Sequence, residues 1–410
     1  MSFRMAGKPP GAFQGSLAAA VLAALAVIGP GTASAAPGGG SGIGPDEGAG
    51  PSSAAVQARM LAQRPYVDAA SRIEGAAHDA AGFAGVAVRD DRVVVWWKGD
   101  PPARVAEEVG RSRVRVEVRP AAHSWAELRV AADRVAARMK ADPASPVHMV
   151  RVPVDGSRVV ALVDRDVTDV SPAESGVPVE VVRHQRLHPA AGPATRYNDG
   201  WNGDAHGPFA GGGAIVNREN GTRCTAGFGV RDGSGARFLL TAGHCGRVGR
   251  GWDNGNRSRF IGDARAEHAA HDLLLVAANS SDRMWDGGAT ANSFTKRVSG
   301  WDRAVAGAMV CQSGSTSGAL CGVRNSDDFV HSYCDTDAYG NYECYSDLVY
   351  AYAEDRTRTV CRGGDSGGPV FTPAGTGVVR AVGTLSGCGG WALLYQDFHT
   401  ATRDLGITTG

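Results

Sequence analysis

Cys361-Arg362-Gly363-Gly364-Asp365-Ser366-Gly367-Gly368-Pro369 sets a serine in a glycine-dense turn, with an acid beside it and a cysteine five residues upstream. A serine hydroxyl is a weak nucleophile. It needs a base to take its proton and backbone N–H groups to hold the oxyanion formed when it attacks a carbonyl. Glycines allow the chain to bend so that the N–H groups of Gly364 and Ser366 converge on one point. Upstream, Phe238-Leu239-Leu240-Thr241-Ala242-Gly243-His244-Cys245 is an apolar, strand-like run that ends by presenting a histidine, the candidate base. Between the two, His271-Asp272-Leu273-Leu274-Leu275-Val276 opens an apolar run with an acid able to orient an imidazole from inside a core.

Each residue has a blander reading. The chain carries ten other histidines, so the weight for His244 rests on its Thr-Ala-Gly-His-Cys context. An Asp ahead of an apolar run can simply cap a turn. Asp253, Asp263 and Asp282 lie nearby, with Asp282 the fallback for Asp272. Gly364-Asp365-Ser366-Gly367-Gly368 also satisfies G-x-S-x-G, the nucleophile turn of α/β-hydrolases, whose acid and histidine follow the serine. The 44 residues after Ser366 do include Asp397 and His399. They are too few for the remaining strands and helices of that fold, and no βαβ alternation precedes the serine. A protease-like binding protein without activity is disfavoured by the presence of all three residue types with intact glycines around the serine.

The order His, Asp, Ser in these contexts resembles the trypsin-like serine endopeptidases, in particular the bacterial branch of streptogrisins and alpha-lytic protease. The resemblance implies an all-β catalytic domain of two six-stranded antiparallel β-barrels, chymotrypsin-like, preceded by a small α+β pro-domain. It also implies that Ser366 attacks, His244 moves the proton, Asp272 orients the imidazole, and Gly364 and Ser366 form the oxyanion hole, with no metal or other cofactor. The substrate pocket falls on Val360, Leu385, Ser386 and Gly387. No acid sits there to select Lys or Arg, so an apolar residue before the scissile bond is expected.

All eight cysteines lie in the second half of the chain, an even number that reads as four disulfides in an exported protein. Zinc binding would want CxxC-type spacings, and none occurs. The family resemblance pairs Cys224 with Cys245, Cys311 with Cys321 and Cys361 with Cys388. That leaves Cys334 and Cys344 for the fourth, across a Tyr/Asp/Gly-rich stretch that looks like an insertion. The resemblance also places an arginine directly after the cysteine of the Ser-Gly-Ser-Thr segment, to pair with the acid beside the serine. Here that position is Gln312. A buried Asp365 therefore needs another cation, and Arg324, Arg362 or a newly freed amino terminus are the candidates.

At 410 residues the chain exceeds what one core usually holds. Its 42 basic and 42 acidic residues give no electrostatic reason to expect nucleic acid or an anionic membrane as partner. Residues 1–36 read as a secretory signal, with Arg4 and Lys8, an apolar run from Leu17 to Ile28 and Ala33-Ser34-Ala35 as cleavage site. The run is shorter than the roughly 20 residues that span a bilayer, so a secreted, extracellular product is expected. Residues 37–54 form a Gly/Pro/Ser-rich linker. Residues 55–195 are a cysteine-free block with helical patterns at Ser124–Met139. They also carry a hairpin over Gly82–Val88 and Arg92–Trp97 and a strand near Ser157–Val163. The block's position resembles a pro-region, a folding aid and inhibitor removed at a junction within about 187–210; the alternative is an attached binding domain. Residues 196–410 form the catalytic domain. The expected partners are polypeptide substrates and the pro-region, and the expected state is a monomer.

Overall fold

Arg92-Val93-Val94-Val95-Trp96-Trp97 alternates nothing: it is apolar at every position after the first, which a strand tolerates only when both faces are covered. In the structure, a computed structural model, Val93, Val95 and Trp97 face the helix Arg64–Ala77. Val94 and Trp96 pack on Val154 and Ala306. The described residues are 53–167, 176–187, 196, 207–289 and 294–410. The expected signal, nearly all of the linker and most of the processing stretch lie outside them.

The N-terminal block is α+β. Phe83–Arg89 and Arg92–Trp97 form an antiparallel hairpin, and Val116–Pro120 adds in parallel. The helix Trp125–Ala141 starts in a capping box, where the Ser124 hydroxyl accepts from the Glu127 N–H and the Glu127 carboxylate accepts from the Ser124 N–H. Its Leu128, Ala132, Val135 and Met139 close over the strands Val147–Pro153 and Val159–Val163, to which Val179–Arg183 adds in parallel.

From residue 207 the described chain is chymotrypsin-like and all-β. Six strands close by continuous antiparallel pairing into a barrel: Met309–Gly314, Gly318–Thr336, Tyr342–Ala353, Ala392–Asp397, Val378–Cys388 and Pro369–Gly375. Val310, Val323, Val349, Val370, Leu393 and Tyr395 fill it. The other sheet holds eight strands and closes less completely. Its ends approach where Gly227, between Arg223–Thr225 and Gly229–Asp232, donates to Leu240 at 2.7 Å. Ile215, Leu239, Trp252, Leu274 and Val276 lie inside.

The 19-residue strand Gly318–Thr336 outruns its barrel. Its outer half pairs antiparallel with Val147–Pro153, Phe329 opposite Val152 and Tyr333 opposite Met149. The three strands of the N-terminal block thus continue the catalytic barrel's sheet, and the cysteine-free block packs against the protease part. The stretch between Cys334 and Cys344, expected as a loop, is the far end of this hairpin: the strands run to Thr336 and from Tyr342 with residues 337–341 turning between them, and the two cysteines lie directly opposite one another.

Candidate active site

The apolar strand Arg237–Ala242 runs through the first barrel and ends where Gly243–Cys245 turns, so His244 leaves the strand at the barrel rim. The strand Leu273–Ala277 pairs with it, Ala242 opposite Leu273, which brings the residue before Leu273 beside His244. That residue, Asp272, has φ 53°, a left-handed conformation that Asp tolerates better than most side chains. Asp272 is fully buried. Its carboxylate accepts the His244 main-chain N–H at 2.7 Å and lies 2.9 and 3.0 Å from His244 Nδ1. The Nδ1 proton is thereby assigned, leaving Nε2 as the basic atom. Burial opposes the imidazolium. The Asp272 charge and hydrogen bond override it, and the His244 pKa stands above its ordinary value.

Ser366 sits in the turn before Pro369–Gly375. Gly367, at φ 83°, packs so closely that a Cβ there would meet Thr241 Oγ1 at 2.1 Å. Thr225 ties the turn down. Its N–H donates to the Ser366 carbonyl at 2.7 Å and its hydroxyl to the Gly364 carbonyl at 2.7 Å, while Thr241 donates to the Thr225 carbonyl at 3.0 Å. The serine turn is therefore stitched to the histidine's strand. Among the described residues, neither the Gly364 nor the Ser366 N–H meets a protein acceptor. No hydrogen bond joins Ser366 to His244, whose Nε2 is buried without a partner among the described residues.

Asp365 points the other way and is fully buried. Its carboxylate accepts the N–H groups of Thr316 and Ser317, each at 3.0 Å, and of Arg362 at 2.8 Å. Burial raises its pKa against the pull of these donors. The cations expected for it are not placed as the sequence suggested. Arg324 pairs with Glu354 at 2.6 Å, held there by its position on the long hairpin strand. Arg362 reaches Asp365 through its main chain. The buried cation that feels the Asp365 charge is Arg196, a residue the sequence did not single out, which donates to Ser313 Oγ at 2.9 Å.

The far end of the long hairpin lies over His244. Ala338 N–H donates to the His244 carbonyl at 3.3 Å, and Asn217 bridges Tyr339 Oη at 2.8 Å and the Cys245 carbonyl at 3.2 Å. The Arg247 guanidinium lies 3.9 Å over the Tyr339 ring, and Tyr345 flanks the imidazole at 6.4 Å between ring centres. Four disulfides join Cys224 to Cys245, Cys311 to Cys321, Cys334 to Cys344 and Cys361 to Cys388. The first braces the histidine loop, the third the covering hairpin and the fourth the base of the serine turn.

Val360 and Leu385 are buried together with Leu393 and Tyr395. Gly387 lies opposite Leu394, and the Ser386 hydroxyl is buried without a partner among the described residues. Leu187, at the end of the N-terminal block, packs with Ala392 and Leu394, and its side chain fills the space a Cβ would take at Gly389. Its carbonyl accepts the Tyr333 hydroxyl. His268, His271 and Asp404 lie close enough to ligate one ion, but the Arg403 guanidinium already pairs with Asp404 at 2.6 Å.

The chain is similar to several known proteins. The Trypsin family profile matches residues 214–400. Glutamyl endopeptidase 2 of Streptomyces griseus is 30% identical over 207 residues, covering 48% of this chain and 97% of that protein. Serine protease 2 of Streptomyces fradiae is 30% identical over 183 residues, covering 42% of this chain and 98% of that protein. The crystal structure of Thermobifida fusca Protease A is similar at 26% identity, covering 49% of this chain and 98% of that one, with a TM-score of 0.38. Relatives matched over nearly their whole length are serine proteases and endopeptidases, and the chain belongs to the trypsin-like serine protease family as a serine-type endopeptidase.

Proposed function

We propose that the protein is a secreted endopeptidase made as a pre-pro-enzyme: signal 1–36, linker 37–54, pro-region 55–195 and protease 196–410. Ser366 Oγ bonds to the scissile carbonyl carbon while His244 Nε2 takes its proton. The carbonyl oxygen, now negative, is held by the N–H groups of Gly364 and Ser366. His244 passes the proton to the leaving amine as the C–N bond breaks, and water then hydrolyses the acyl-enzyme by the same steps in reverse roles. Asp272 holds the Nδ1–H tautomer and favours the transient imidazolium.

The observation that carries the reading is the buried Asp272–His244 pair at 2.9 Å, ahead of a serine turn whose two N–H groups meet no protein acceptor among the described residues. The apolar walls at Val360 and Leu385 support cleavage after apolar residues. A relative named a glutamyl endopeptidase makes Glu the competing preference. The pro-region as inhibitor is supported by Leu187 against the Gly389–Leu394 wall and by the hairpin over His244, both in contact with the N-terminal block.

The test is the secreted wild type beside Ser366→Ala, read by intact mass, N-terminal sequence and labelling with a fluorophosphonate. Wild type alone should lose its pro-region and take the label. A panel of peptide p-nitroanilides ending in Leu, Phe, Glu or Lys should favour Leu or Phe. Identical masses and no label in either protein would remove the catalytic reading; a Glu preference would remove the apolar one.

A further inference from the structure

Arg196 is buried, 4% exposed, in a part of the chain otherwise expected to be a cleavable junction. Burying a guanidinium is costly unless its donors are met; here both terminal nitrogens are met from three separate regions, while the Nε–H is buried without a partner among the described residues. One terminal nitrogen donates to the Gly212 carbonyl at 3.2 Å and to Ser313 Oγ at 2.9 Å. The other donates to the carbonyls of Gly287 and Gly288, at 2.9 and 3.0 Å. The backbone is held as well. Arg196 N–H donates to the Ser315 carbonyl at 3.0 Å, and its own carbonyl accepts from Ala214 at 2.7 Å. Ala214 opens a strand of the first barrel, Ser313 and Ser315 flank the end of a strand of the second, and Gly287–Gly288 follow the strand Ser280–Asp286 between them.

The site also carries a charge argument. Asp286 has its own cation in Lys296, at 2.6 Å. Asp365 is buried with no ion pair within reach among the described residues, and the position where the family resemblance expects its arginine is Gln312. Gly314, next to the Ser313 that Arg196 grips, lies so near that a Cβ there would meet Asp365 Oδ1 at 1.9 Å. Burial lowers the Arg196 pKa to about 10, against the attraction of Asp286 and Asp365, so the group stays cationic at neutral pH.

We propose that Arg196 is the positioning cation of the serine turn, taking the part of the missing arginine at Gln312 by compensating Asp365 and clamping the segment 313–315 on which Asp365 rests. The arm that carries it must then stay with the protease, so the pro-region is cut before Arg196, in the interval 188–195. This inference rests on the catalytic reading above. It assigns Arg196 no contact with substrate: it acts through Asp365 on the Gly364 and Ser366 N–H groups, and its loss should fall on kcat.

The experiment uses the full chain as secreted, with Arg196→Gln, Arg196→Lys and the double variant Arg196→Gln with Gln312→Arg. Active sites are titrated with a fluorophosphonate so that rates refer to folded enzyme. Arg196→Gln should lower kcat by about 10²-fold with KM within about threefold, the loss expected when an oxyanion donor is displaced. Gln312→Arg should restore about tenfold of it, and Arg196→Lys less, since an ammonium cannot meet the forked set of acceptors. A kcat for Arg196→Gln within about twofold of wild type, or equal falls in kcat and KM terms without rescue, overturns the inference. If no variant folds, the wild-type N-terminus decides: a start before Arg196 supports the clamp, and an active enzyme starting after it refutes it. A wild type that takes no label removes the catalytic reading and this inference together, whereas a labelled wild type matched by Arg196→Gln removes this inference alone.

Discussion

Asp272 and Asp365 are both fully buried carboxylates within the same site, and they are solvated by opposite means. Asp272 faces a titratable partner: it accepts from His244 Nδ1 and from that residue's own N–H. Asp365 accepts three main-chain N–H groups, while the buried Arg196 guanidinium near it is engaged on Ser313 and three carbonyls. The first arrangement hands a charge to chemistry, because it biases the protonation of a base. The second hands it to shape, because a carboxylate gripping Thr316, Ser317 and Arg362 pins the turn that aims the Gly364 and Ser366 N–H groups. Buried charges of equal cost thus serve different ends according to whether their donors can titrate.

The widest separation of the two should come from Asp272→Asn. The amide cannot hold the Nδ1–H tautomer, so kcat should fall by about 10⁴-fold with little change in melting temperature. In the wild type burial works against the imidazolium but Asp272 overrides it, so activity should fall as pH drops through a value above the ordinary histidine range. In the variant that acid limb should move to lower pH. An unchanged limb would mean that Asp272 does not set the base.

Asp365→Asn should behave differently. It places an NH2 among three N–H donors, so a cost of about 1–3 kcal/mol in stability is expected, with a kcat loss of about 10²-fold and an acid limb left where it was. Thermal unfolding and a pH–rate profile on the same preparation check both parts. If the limb moves with Asp365 as it does with Asp272, the distinction between the two carboxylates fails.

Removing the Cys334–Cys344 bridge by a paired change to Ala should cost about 2–3 kcal/mol in the denatured-chain account of a short loop. The loss should appear as a lower melting temperature of the Ser366→Ala precursor. Because this hairpin covers His244, fluorophosphonate labelling of the otherwise wild-type precursor should also quicken. Stability lost without faster labelling would detach the hairpin from the site.

The smallest effect concerns His148, a buried histidine without the carboxylate contact that His244 has. Burial lowers its pKa from 6.5 to about 4, against the hydrogen bond to the His184 carbonyl and the Asp164 charge and with the Arg186 and His184 charges in support. A depressed histidine is protonated more readily in the unfolded chain, so its contribution is present above 6.5 and is lost as pH falls toward about 4. Melting of the Ser366→Ala precursor should follow that slope, and His148→Asn should flatten it; an equal slope would place the acid sensitivity elsewhere.

Ser366, His244 and Asp272 could be singled out as candidates because each carries its context beside it: glycines that a tight turn requires, an apolar strand ending in Gly-His-Cys, an acid opening a core strand. The α+β block was legible because its hairpin and its helical pattern from Ser124 to Met139 are local. That the hairpin around Cys334 and Cys344 pairs with Val147–Pro153 was not legible, because that pairing joins residues far apart in the chain. Arg196 was invisible because nothing near it in sequence explains it: its acceptors are Gly212, Gly287, Gly288 and Ser313. The chain alone determined the candidate reacting groups and the strands that deliver them, since hydrophobic pattern and turn chemistry act over a few residues. Which cation stands near Asp365, and what lies over His244, was decided when both barrels and the N-terminal block packed together, since only then do distant carbonyls and amides converge to solvate a buried charge.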